Sequence, residues 1–106
     1  MSVRTFLVEG AHGPIEPAEG RRLALELREQ LRDARERGVL TGAWARAGGG
    51  RLLVMEALDG DAVDAELAAM SAHHTQTWTV TELFDLAAAL DSFLADDLQG
   101  SGADGR

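Results

Sequence analysis

Apolar residues along this chain change spacing from two to about 3.6 and back, and each switch marks an element boundary. Residues 3–9 alternate and are rich in β-formers, which predicts a first strand. Residues 11–16 contain Gly13 and Pro14 and read as a loop. Leu23, Leu27, Leu31 and Ala34 then recur at helical spacing, with Arg28, Arg32, Arg35 and Glu36 outside. That helix starts at Pro17 and stops at Gly38, residues suited to a first turn and to a position just past the end. Residues 40–47 and 51–58 read as strands joined by Gly48-Gly49-Gly50 in a hairpin. Asp59 caps a short helix carrying Val63, Leu67 and Met70. Residues 75–81 form a fourth strand. Leu83, Leu86, Leu90 and Phe93, with Leu94 beside it, mark a C-terminal helix over 83–99, and the polar, glycine-rich residues 100–106 read as a disordered tail.

The order β-α-β-β-α-β is that of a ferredoxin-like α+β sandwich. Residues 1–82 form this domain, and the C-terminal helix is an addition to it. Both helices of such a unit lie on one sheet face, yet Leu52-Leu53-Val54-Met55 is apolar on both faces. A second subunit is the economical cover for the other face, so a homodimer or higher homo-oligomer is expected. The extra helix packs along a barrel edge or on the neighbouring subunit. With Phe6 and Val8 under the helices, the period of two assigns Leu7, Glu9, Trp44, Arg46, Val54, Glu56 and Thr79 to the opposite face. Apolar walls with a few polar groups suit a small hydrophobic ligand.

Composition narrows the function classes. The chain has 106 residues and no cysteine, which excludes disulfides, thiolate metal sites and a cysteine nucleophile. Its formal net charge of −8 argues against nucleic acid. All ten basic residues are arginine, so Schiff-base chemistry at lysine is excluded. No apolar run approaches a membrane span, and residues 1–6 lack the pattern of a secretory signal; no membrane partner and a cytoplasmic location are expected.

Gly38, Trp44, Arg46 and Gly48, with Met70 and residues 80–83 at comparable separations, resemble the central signature of the muconolactone isomerase family. The resemblance covers roughly residues 3–84. It implies a dimeric α+β barrel and a proton-transfer isomerisation of a small unsaturated lactone, with neither metal nor organic cofactor. Where the family carries a Leu-Pro-Leu-Phe-Pro run, this chain has Met70-Ser71-Ala72-His73-His74; where muconolactone isomerase has a basic residue in the first strand, it has Glu9. The implied substrate is therefore another lactone, enone or polyketide-like compound.

Glu9 is the preferred base, since a carboxylate beside Leu7 and Trp44 is partly desolvated. Arg46, or one of His12 and His73, would stabilise the developing enolate oxygen. Each residue also has a structural reading: Glu9 as a strand-end carboxylate in water, Arg46 as an ion-pair partner of Glu56, and the histidines as loop residues. His73 and His74 are adjacent and cannot both ligate one ion from an extended segment, so no metal site is expected. Leu7, Trp44, Val54, Glu56, Trp78 and Thr79 would bind substrate, with Trp44 and Trp78 favouring a flat unsaturated compound. A cofactor-independent monooxygenase or cyclase is the enzymatic alternative, and a non-catalytic ligand-binding or assembly protein is the alternative from another class.

Overall fold

A computed structural model describes residues 2–12, 16–70 and 76–104, and their side chains except at 12, 76 and 97–104. The fold is α+β, with a four-stranded antiparallel sheet and three helices. In chain order these are β1 (Arg4–His12), α1 (Pro17–Glu36), β2 (Leu40–Ala45), β3 (Arg51–Ala57), α2 (Gly60–Ala68), β4 (Gln76–Leu83) and α3 (Leu86–Asp104). The strand order β2-β3-β1-β4 is compatible with a ferredoxin-like fold.

Local chemistry explains most boundaries. Pro17 opens α1, and Gly38 follows it with a φ of 77° that suits glycine. The Asp59 side chain accepts from the Ala62 N–H at 2.8 Å and so caps α2. Asp85 does the same for α3 through the Ala88 N–H at 2.9 Å. This delays α3 to Leu86, because Leu83 is still paired with Thr5. The helix then runs to Asp104, into the segment expected to be a disordered tail. At the other end of the sheet, pairing of Ala11 with Thr77 and of His12 with Gln76 draws both residues into β1, where a loop was expected.

The core lies between the sheet and α1 with α2. Phe6 and Val8 of β1, Leu53 and Met55 of β3, Leu27 and Ala34 of α1, and Val63 and Leu67 of α2 are all buried in it. Each fully buried aliphatic or aromatic side chain contributes roughly 1.5–3 kcal/mol. Leu40 joins this layer through a bulge: it pairs with Met55 while Gly42 pairs with Val54, leaving Thr41 as the extra residue. The Thr41 hydroxyl donates to the Val54 carbonyl at 3.2 Å.

No described side chain of α3 belongs to this core. Its side chains are exposed from Leu86 through residue 96, including Leu90, Phe93 and Leu94. The radius of gyration is 18.6 Å, against about 13 Å for a compact chain of this length.

Between β2 and β3 the chain turns through Gly48, Gly49 and Gly50, all at positive φ. A Cβ on Gly50 would stand 2.7 Å from the Gly10 carbonyl oxygen, whereas one on Gly48 would meet nothing. Gly50→Ala is therefore expected to destabilise by ~1–3 kcal/mol and Gly48→Ala by less, as read from urea denaturation midpoints. Equal losses would show that close approach to Gly10 carries no cost.

Candidate functional site

The candidate site occupies the sheet face that α1 and α2 leave open. The register β1–β3 pairs Thr5 with Glu56, Leu7 with Val54 and Glu9 with Leu52. β4 adds Thr81 beside Leu7 and Thr79 beside Glu9, and β2 adds Gly42 and Trp44 beside Val54 and Leu52. Thr5, Leu7, Glu9, Gly42, Trp44, Leu52, Val54, Glu56, Thr79 and Thr81 therefore share one face, in the arrangement expected from the period of two.

The Trp44 indole folds back over Gly42. A Cβ at position 42 would lie 2.5 Å from Cη2 of the ring, so only glycine leaves the indole this seat. Even so, Trp44 is 59% exposed. Leu7, Leu52 and Val54 are half-buried beside it. The face combines an aromatic plane, short aliphatic walls and threonine hydroxyls.

Two polar pairs cross this surface. Arg46 Nη1 lies 3.7 Å from Glu9 Oε2, with side chains 47% and 40% exposed. Thr5 Oγ1 donates to Glu56 Oε2 at 2.8 Å. Glu56 is thus held by Thr5, and the ion-pair partner of Arg46 is Glu9. The reason is register: Arg46 follows β2 at the end of the sheet where Glu9 lies, whereas Glu56 lies toward its other end. Arg46 is anchored at its backbone, where its N–H donates to the Gly50 carbonyl at 3.0 Å.

Trp78 does not belong to this group. It pairs with Gly10 on the helix-covered side and packs against the core, half-buried, so it cannot form a sandwich with Trp44. The period of two separates it from Thr77 and Thr79, which flank it in β4. The backbone of His12 ends β1, three residues beyond Glu9, and its side chain is outside the described set. His73 and His74 also lie outside the described residues. Among the described residues, no group of three or more His, Asp or Glu side chains is placed to hold a metal ion, and no helix is long and apolar enough to cross a membrane.

Sequence reasoning passed over Arg51. It alternates in phase with Leu53 and Met55, so it enters the helix-covered layer, and burial pushes its pKa down. A charged residue in phase with core positions was the available signal.

A bidentate ion pair lies elsewhere, between the end of α1 and α2. Arg37, just past the end of α1, donates to Glu66 at 2.9 and 3.0 Å and to Asp33 at 2.8 Å. The bond from Arg37 holds the Glu66 carboxyl below its ordinary pKa. Compared with known proteins, the chain matches no family model and no curated sequence.

A depressed carboxyl pKa contributes stability above its unfolded value, and that contribution disappears as pH falls through the folded value. The stability difference between wild type and Glu66→Gln should therefore be fully present at neutral pH. It should shrink as pH falls below the ordinary glutamate value of about 4.3. Denaturation midpoints measured from pH 7 to pH 2 check this, and a difference that grows toward acid would contradict it.

Proposed function

We propose that this protein is a cytoplasmic, cofactor-free isomerase of the muconolactone isomerase type, working as a homodimer in which two open sheet faces close over a shared cavity. The observation that carries this reading is the juxtaposition of Glu9, Arg46 and Trp44 on one uncovered face. The Glu9 carboxylate would take a proton from the carbon next to the carbonyl of an unsaturated lactone or enone. The Arg46 guanidinium would stabilise the enolate oxygen, and the same proton would return to a carbon further along the conjugated system. Atoms and charge then balance without any other reactant. Trp44 would lie against the flat substrate, with Leu7 and Val54 as walls and Thr79 as a polar contact.

Exposed apolar area supports the dimer. Trp44, Phe84 and Phe93 are 59%, 74% and 65% exposed. At roughly 150–250 Å² per aromatic side chain they leave roughly 300–500 Å² in water. Leu86, Leu90 and Leu94 add to this. Apolar surface on this scale often marks an interaction site, and a stable interface needs about 800 Å² per partner. The open face and α3 together approach that figure.

A second reading, a non-catalytic ligand-binding or assembly protein, draws on the same exposed α3 stripe. Activity separates the two.

In sedimentation, the full chain should run at twice its monomer mass or more at micromolar concentration, and deletion of residues 84–106 should weaken the assembly. A folded monomer with Trp44 freely accessible to a collisional quencher would overturn the closed cavity.

Glu9→Gln should lower turnover of a responsive unsaturated lactone or enone at least about a hundredfold with folding unchanged, the scale of losing a general base. Activity should survive chelation. Full activity in Glu9→Gln would rule out the mechanism.

A further inference from the structure

A row of arginines runs along the exposed side of α1. Arg21, Arg28 and Arg35 face solvent and have no carboxylate within 4.0 Å among the described residues. Their neighbours are engaged: Arg22 meets Glu19 and Glu26, Arg32 meets Glu29, and Arg37 meets Asp33 and Glu66. The three others follow one another every seventh residue, a spacing that drifts only ~20° per step around a helix. They form one stripe, about 21 Å long at about 1.5 Å per residue. Leu25, 45% exposed, lies between the first two.

α3 presents the opposite character. Leu86, Leu90, Phe93 and Leu94 are exposed along it. No arginine or lysine occurs between Arg51 and Arg106, so every charged side chain of α3 is acidic. At about 3.6 residues per turn, Asp91 and Asp96 fall on opposite sides of the apolar stripe. The helix has 19 residues and is about 28 Å long, enough to span all three arginines. Within one chain the two surfaces do not meet: neither Asp91 nor Asp96 comes within 4.0 Å of those arginines, and both are exposed.

We propose that α3 of one copy docks along α1 of a second copy. Its apolar stripe covers Leu25 and the hydrocarbon stems of Arg21, Arg28 and Arg35, and its aspartates meet their guanidinium groups. The open sheet face is a poorer seat for an acidic helix, because it carries Glu9 and Glu56 and its Arg46 is already paired with Glu9. Phe84 and Phe93, 74% and 65% exposed, bring roughly 200–350 Å² to the contact. Exchange in both directions, each copy giving its α3 and receiving the other's, builds toward the ~800 Å² per partner of a stable interface. This surface lies on the helix side of the sheet, away from Glu9 and Arg46, so it stands whether or not the open faces close over a cavity.

Charge reversal tests the contact. Arg21→Glu, Arg28→Glu and Arg35→Glu made together should weaken self-association at least tenfold, as measured by sedimentation at low ionic strength. Asp91→Arg, Asp96→Arg and Asp97→Arg made together should do the same, although they bring the net charge closer to zero. Mixed in equal amounts, the two variants should form a one-to-one heterodimer, because each reversed helix then meets its complement. The proposal is overturned by undiminished association of the arginine variant, which would seat α3 elsewhere. It is equally overturned by a mixture no tighter than its components, or by a folded wild-type chain that stays monomeric. Circular dichroism checks folding; should a reversal variant not fold, Arg21→Gln, Arg28→Gln and Arg35→Gln made together should still weaken association at least about threefold, and no loss there overturns the contact. Closure of the open faces is read separately, by quencher access to Trp44 in the same samples, so either can fail without the other.

Discussion

Everything in this fold depends on β1 being hydrogen-bonded on both sides. β3 and β4 each pair with it along most of its length, so its alternation is imposed on both neighbours. Phe6 and Val8 enter the layer beneath the helices, where they meet Met55 and Leu53. Slipping either neighbour by one residue would expose its core side chains and bury the polar ones between them. The burial of a few large side chains in one layer therefore sets the composition of the opposite face. Glu9, Trp44 and the threonines stand together there because Val8, Ala43 and Val80 face the helices.

The two faces then have different electrostatic characters. On the open face, opposite charges meet in partial contact with solvent, where an exposed pair contributes ~0–1 kcal/mol to stability. The Glu9–Arg46 pair at 3.7 Å is thus poorly explained as a stabilising device. On the covered face, Nη1 of the Arg51 guanidinium has no hydrogen-bond partner among the described residues. Among the described residues, the same sheet presents a partly solvated ion pair on one side and a cation without a carboxylate within 4.0 Å on the other.

α3 differs in kind from the rest of the chain. α1 and α2 have apolar stripes buried on the sheet, whereas α3 carries Leu86, Leu90, Phe93 and Leu94 in the open. Helices of this length draw most of their stability from packing an apolar face, and no described side chain of α3 packs in the core.

The pattern of apolar residues was enough to read the element order, the assignment of Phe6 and Val8 to the helix side, and the grouping of Leu7, Glu9, Trp44, Val54, Glu56 and Thr79 opposite. These follow from local periods of 2 and 3.6, which a chain carries in its own order of residues. Tertiary structure alone decided the partners. It matched Glu9 with Arg46 and left Glu56 to Thr5, because pairing depends on how far two strands slide past each other. It drew Ala11 and His12 into β1 and carried α3 to Asp104, whereas the period of two that sets Thr79 on the open face already puts Trp78 on the other. Leu40 shows the limit most clearly: simple alternation would set it on the face of Gly42 and Trp44, but the extra residue Thr41 turns it into the core. A bulge is a property of two strands, so one strand's sequence does not disclose it.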